Sequence, residues 1–284
     1  NRRYRELKRM GREIERFGSL IDGTRPKASV AVLSSYESRW CLEGVLRLPA
    51  MSHERAVLRY HEALMAANVV TDGLDPREDL SGYRLVLAPR LYCTPPQVAA
   101  SLRGYVENGG TLLLTARSGV VDEHNRIFGD PAPGPLCELA GVDVDDYGAL
   151  PDPLALRDAG GHFAADFARG SVWADEIQPT TAETVAAYDE GWRRGIPAVT
   201  VNRFGRGAVV YVGTVLSGDT LAAFLRWLCA QAGIEPVLTT PSGVRACERV
   251  GDGYRLLFLM NFGEQEQLVR LEEEWEDLFA GQSV

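Results

Sequence analysis

Residues 109–128, GGTLLLTARSGVVDEHNRIF, run from an apolar stretch into Arg117-Ser118-Gly119, and a serine leaving a buried strand is where many α/β enzymes place a nucleophile. Such an elbow needs small residues on both sides, as in Gly-x-Ser-x-Gly, because the strained turn brings strand and helix backbones together. Positions 116, 117 and 120 hold Ala, Arg and Val. The pattern therefore reads as a Ser-Gly turn rather than a nucleophile. A base within hydrogen-bond reach is also required, and the four histidines supply little. His124 stands in the polar run VDEHNR and reads as solvated, His53 and His61 read as surface or internally satisfied helix residues, and His162 offers no more.

Metal spacing is equally poor, with no His-x-His, His-Glu-x-x-His or Cys-x-x-Cys, so neither a metal nor a cofactor is expected. The glycines of GRG at 205–207 join two strands, whereas a phosphate loop must open a helix with its amides. The tryptophans carry more. Trp227 falls on a helix apolar face and reads as core, but Trp40 in SYESRWCLE and Trp173 in SVWADEI sit in loop-like contexts beside carboxylates. Residues of that kind anchor interfaces or flank sugar sites, or simply pack loops, and the pattern leaves all three open.

The elements that must position these residues begin with a basic helix at residues 2–20, where Tyr4, Leu7, Met10 or Gly11, Ile14, Phe17 and Leu20 form one apolar stripe, stopped by Asp22-Gly23-Thr24-Arg25-Pro26. From Ala28 the pattern alternates strand and helix: ASVAVLSS, a helix capped by Ser52, a short NVVTD, YRLVLAP, a helix opened by Pro95-Pro96, and GTLLLTA. Continuous apolar strands of this kind are buried on both faces, so a doubly wound parallel sheet is expected. DPAPGP and LPDPLALRDAGG read as loops around a short helix at 135–140. ETVAAYD, IPAVTVNRF and GAVVYVG then read as strands, the last two as a hairpin, followed by a helix with Asp219 as N-cap. From Pro241, GVRACERV, YRLLFLMNF and EQLVRL read as a small antiparallel unit, with an acidic end at Glu272, Glu273, Glu274, Glu276 and Asp277.

The composition suits one large or two smaller domains, with 284 residues, 45% of them hydrophobic. A formal charge of −9 argues against a nucleic-acid or anionic-membrane partner. The exception, seven basic against three acidic residues in the first sixteen, is accounted for by i,i+4 pairing and solvation on a helix. Five widely spaced cysteines read as free thiols of a reducing, cytoplasmic compartment. No signal peptide or membrane span is read. The chain opens on Asn with residues that read as mid-helix, which is expected of a piece excised from a longer protein.

Four stretches taken jointly resemble the glycoside hydrolase family 42 β-galactosidases: RRYRELKRMGREIERFG, SYESRWCLEG, YRLVLAPRLYCTPPQVAASLRGYVENGGTLLLTARSGVVDEHNRIF and SVWADEIQPTTAETVAAYDEGWRRGIPAVTVNRFGRGAVVYVGT. The resemblance covers most of residues 2–235. It implies a layout of catalytic (β/α)₈ barrel, flavodoxin-like trimerisation domain similar to class I glutamine amidotransferases, and small β domain. The present sequence matches the second and third parts. Family members cleave terminal β-galactosides with retention through two barrel glutamates, one in an Asn-Glu pair, whose carboxyls stand about 5–5.5 Å apart. This sequence has no Asn-Glu dipeptide and no room for eight βα units of about 250 residues, so no catalytic residue is carried over. The amidotransferase likeness lacks its chemistry too, since TARSGVV has no Cys and GTVLSGDTL no His-x-Glu.

The resemblance thus implies an α/β fold, with residues 1–26 a connector helix, 27–238 an amidotransferase-like, flavodoxin-like parallel-sheet domain that trimerises, and 239–284 an incomplete small antiparallel β domain. The chain would be non-catalytic alone and form a homotrimer, meeting galactoside only within a full-length enzyme. Trp40, Asp122, Glu123, His124 and Asn125 are the candidate interface or active-site rim. A galactoside-binding module and a degenerate amidotransferase-like enzyme acting through Cys93 are the alternatives.

Overall fold

A computed structural model describes residues 1–46, 48–158, 160–161 and 168–284. The chain divides into two units, one of residues 1–27, 68–70 and 236–284, the other of 28–67 and 71–235.

The first unit opens with α1 (Arg2–Ile21), capped by the Asn1 side chain, and the short strand β1 (Arg25–Pro26). Phe17 is its buried residue, meeting Phe279 edge-on at 5.1 Å, while Tyr4, Leu7, Met10 and Ile14 of the same stripe stay exposed.

The larger unit runs β2 (Val30–Leu33), α2 (Tyr36–Val45), α3 (His53–Ala66), β3 (Thr71–Leu74), β4 (Leu85–Ala88), α4 (Pro96–Glu107), β5 (Thr111–Thr115), α5 (Cys137–Ala140) and β6 (Val142–Ala149). It continues with β7 (Leu154–Asp158), β8 (Arg169–Pro179), β9 (Glu183–Tyr188), β10 (Pro197–Phe204), β11 (Gly207–Val212), β12 (Thr214–Leu216) and α6 (Gly218–Gln231). Among the described residues eleven strands form its sheet, in the order β12-β8-β7-β9-β10-β11-β5-β4-β2-β3 with β6 also on β8. The run β11-β5-β4-β2-β3 is parallel throughout. From β11 outward through β10, β9, β7 and β8 every pairing is antiparallel.

The parallel strands are apolar without interruption because both faces are covered. Ala31, Leu33, Val86, Ala88, Leu112, Leu114, Val209 and Tyr211 share one core with Val98, Leu102, Tyr105 and Val106 of α4 and with Leu139 and Ala140 of α5. The alternate residues face the other way, where α3 lies on β2 and packs against α6. Gly205-Arg206 links β10 to β11 as expected. Gly207 is required beneath it, for a Cβ there would stand 2.2 Å from the Gly110 carbonyl oxygen.

Several sequence expectations need correcting. LALRD is strand β7, not loop, and residues 142–149 form a strand that the sequence left unmarked. SYESRWCLE is helix α2 and SVWADEI lies inside strand β8, so neither Trp40 nor Trp173 sits in a loop. Asp219 lies in the first turn of α6 and Ser217 is the N-cap, its hydroxyl 2.7 Å from that of Thr220. Trp227 is half-buried, its ring 5.6 Å from Phe224, rather than full core.

The first unit resumes with β13 (Val244–Val250) and β14 (Arg255–Asn261), forming the antiparallel sheet β1-β13-β14, and a small pair, β15 (Glu276–Asp277) and β16 (Gln282–Ser283). Arg249 ties β13 to Thr24, donating through Nη2 to its carbonyl at 2.6 Å and through Nε to its hydroxyl at 2.8 Å. The Asn68 amide likewise binds the Leu238 carbonyl and the Ala246 amide. EQLVRL forms no strand, and its Leu268 is exposed. Among the described residues no helix is long and apolar enough to cross a membrane.

Candidate functional site

The carboxyl ends of the parallel strands are where an open α/β sheet leaves a crevice for ligands or partners. Of the five segments that leave them, those after β2, β4 and β5 carry the candidate residues.

After β2, Ser35 caps α2 by accepting the Ser38 amide at 3.0 Å. The buried face of α2 consists of Ser38 and Leu42. Ser38 Oγ accepts from the Cys93 amide at 3.1 Å and donates to the Cys93 carbonyl at 3.3 Å, fastening α2 to the segment that follows β4. The opposite face presents Tyr36 and Trp40, 64% and 68% exposed, four residues apart with ring centroids at 5.7 Å. Trp40 therefore faces solvent with an aromatic neighbour on the same helix face.

The turn after β5 continues to Asp122–Asn125. The Asp122 carboxylate accepts the amides of His124 at 2.8 Å and Arg126 at 2.9 Å, and Asn125 takes the left-handed conformation at φ 58 that such a turn favours. Those two amides hold the Asp122 carboxyl below its ordinary range, the Arg126 bond foremost. Glu123, His124 and Asn125 are exposed. Cys93 Sγ donates to the Asp122 carbonyl at 3.3 Å. The segment carrying Trp40 and the Asp122–Asn125 turn therefore flank the same residue, Cys93, an attachment that no sequence spacing marks.

The elbow itself holds Arg117 in the left-handed conformation, φ 70, with Ser118 beside it fully buried. The strained position belongs to Arg117, whereas the sequence reads simply as a Ser-Gly turn. The guanidinium of Arg117 lies over the rings of Tyr147 at 4.3 Å, Tyr92 at 5.3 Å and Trp173 at 5.4 Å, while its Nε and Ser118 Oγ have no hydrogen-bond partner. Trp173 is buried, stacks on Tyr147 at 5.5 Å and donates Nε1–H to Asp175 at 2.8 Å, which removes it from any exposed sugar or partner surface. Asp175 is 2% exposed and raised to about 6, chiefly by burial and against the pull of Tyr211, Trp173 and Arg117. Arg117, Asp175 and Tyr211 escaped the sequence reading. The one available signal was Trp173-x-Asp175, a same-face pair visible only once the segment is read as a strand.

The buried histidine is already engaged. His53 Nε2 accepts the Ser35 amide at 2.9 Å, so Nδ1 carries the hydrogen and donates to the Arg90 carbonyl at 3.1 Å. His53 is thus internally satisfied, and burial lowers its pKa. His162 lies outside the described residues. Cys93 is buried and its thiol pushed up to about 12 by burial, the reverse of an activated nucleophile. Among the described residues no group of three or more His, Cys, Asp or Glu converges to hold a metal. The elbow is thus filled by an arginine engaged in internal contacts, and what faces outward is the Tyr36–Trp40 pair on one segment and the polar Asp122–Asn125 turn on another.

Residues 28–235 match the family model of the β-galactosidase trimerisation domain, and residues 243–284 that of the β-galactosidase C-terminal domain. The β-galactosidase BglY of Alicyclobacillus acidocaldarius is 36% identical over 278 residues, covering 95% of this chain and 40% of the relative. BgaP, a β-galactosidase of Planococcus sp. (strain L4), is 32% identical over 288 residues, covering 99% and 42%. The crystal structure of the β-galactosidase from Bacillus circulans sp. alkalophilus superposes with a TM-score of 0.94 at 32% identity, covering 100% of this chain and 43% of that one. The chain spans about two fifths of the length of the curated relatives it matches.

Proposed function

This chain belongs to the glycoside hydrolase family 42 β-galactosidases, and on that premise we propose that it is the self-association and C-terminal part of an enzyme that hydrolyses terminal β-D-galactosides, assembling as a homotrimer and supplying no catalytic residue. Its five parallel strands, taken in chain order, lie 2-1-3-4-5 across the sheet, which supports a flavodoxin-like reading of that half. The matched boundaries support a division into a connector at 1–26, an assembly domain at 27–238 and a small β domain at 239–284. Five free thiols suit a reducing compartment such as the cytoplasm.

The observation that carries the proposal is the exposed Tyr36–Trp40 pair, tilted rings with centroids 5.7 Å apart, on the helix that follows β2 in the domain whose family model is named for trimerisation. A cyclic trimer uses two different complementary patches, so this pair meets a different surface of the neighbouring copy. The turn Asp122–Asn125 forms the polar rim. Galactoside enters only in the context of the whole protein. The test is hydrolysis of a nitrophenyl β-D-galactoside. The reading expects none from this chain alone and turnover once the remaining three fifths of a relative's length is joined to it; turnover by this chain alone would overturn it. Exposed aromatic rings also suit the face of a sugar, and quenching of tryptophan fluorescence by galactose that disappears in Trp40→Ala would favour a binding module instead.

A further inference from the structure

Cys41 and Cys93 stand fifty-two positions apart in the chain, yet the fold sets them together. Cys41 lies on α2 and packs against the cluster of Leu42, Tyr92, Cys93, Val120 and Val121. The Ser38 hydroxyl holds the Cys93 backbone from both its amide and its carbonyl, so the helix and the segment after β4 have little freedom to separate. Within that frame Cys41, one helical turn beyond Ser38, packs against the cluster that contains Cys93, and both thiols are free. We propose that Cys41 and Cys93 form a reversible dithiol–disulfide site that reacts with low-molecular-weight disulfides and, when oxidised, joins the Trp40-bearing helix covalently to the segment beside the Asp122–Asn125 turn.

The order of events follows from accessibility and charge. Cys41 is half-buried and Cys93 buried, so an incoming disulfide meets Cys41 first. Burial raises both thiols, but Cys93 goes further, to about 12, with the charges of Cys41, Glu37 and Glu123 adding to its burial, so Cys41 ionises first. The Cys41 thiolate attacks one sulfur of the small disulfide, forming a mixed disulfide and releasing one small thiolate. Cys93 then gives its proton to solvent and attacks the Cys41 sulfur, releasing the second. Two protein thiols are oxidised and one small disulfide is reduced to two thiols. Burial raises both thiols, so the reaction is slow at neutral pH and accelerates about tenfold per pH unit below the Cys41 pKa.

The experiment is incubation of the folded chain with oxidised glutathione at mildly alkaline pH, followed by thiol titration in denaturant and mapping of the linked peptides. The titre is expected to fall from five to three with one linkage, Cys41 to Cys93. In Cys93→Ser the reaction stops at a glutathione adduct on Cys41. An unchanged titre, a persistent adduct on Cys41 of the unaltered chain, or a linkage through Cys137, Cys229 or Cys247 would overturn the proposal.

Discussion

The Tyr211 hydroxyl donates to the Asp175 carboxylate at 2.7 Å between two strands of the larger unit, where both side chains are buried. The pair is a pH-dependent element of stability. The unfolded carboxyl ionises near 3.8 and the buried one near 6, so between those values the folded state holds the extra proton. The stability contributed is present in full below about pH 4 and is lost as pH rises through 6, on the order of 3 kcal/mol in all. Asp175→Asn is expected to abolish that slope in denaturant unfolding between pH 4 and 7, and Arg117→Met to move it upward by removing the cation that favours the carboxylate. The same slope in Asp175→Asn as in the unaltered chain would contradict the assignment.

His53 works in the opposite sense. Burial lowers its pKa below the ordinary 6.5, so the unfolded chain takes the proton first as pH falls. Its contribution is present above 6.5 and declines below it. Imidazole titration by NMR is expected to give a midpoint under 6.5 with the hydrogen on Nδ1 in the neutral form; a midpoint above 6.5 would mean that the Ser35 amide is not bound to Nε2.

Gly119 follows the elbow with φ +67, and a Cβ there would stand 1.9 Å from the Pro133 carbonyl oxygen. Gly119→Ala is expected to cost about 3 kcal/mol of unfolding free energy. Gly129, in the same loop with open space around it, serves as the control, and Gly129→Ala is expected to stay within about 0.5 kcal/mol. Equal midpoints for both variants would remove the steric account of this turn.

How much of this was legible in sequence depended on what held each element. The parallel strands and the Ser52-capped and Pro96-started helices were readable because apolar runs and helix starts determine them. Helix α2 was not, since half of its buried face is Ser38, a polar anchor that no hydrophobic period registers. Strand β8 hid its alternation because Val172 adopts φ 66 and the strand is then buried at three consecutive residues, Trp173, Ala174 and Asp175. EQLVRL shows the converse: alternation without a partner strand left Leu268 in solvent. Trp40 and the Asp122–Asn125 turn were visible as residues, but their common attachment to Cys93 arises from tertiary contacts.

On the proposed trimer reading, the exposed aromatic pair carries part of the assembly energy. Truncating a central interface tryptophan costs 2 kcal/mol or more, so Trp40→Ala is expected to weaken self-association by about 30-fold or more. The monomer's circular dichroism and unfolding midpoint are expected to be unchanged, because the ring lies in solvent on the isolated chain. Equal association of Trp40→Ala and the unaltered chain would place the interface elsewhere.

The most direct measurement is the solution mass of this chain by light scattering across a concentration series. A chain that carries its own association surface is expected to approach three times 31.1 kDa as concentration rises. A mass of one chain at every concentration would contradict that claim.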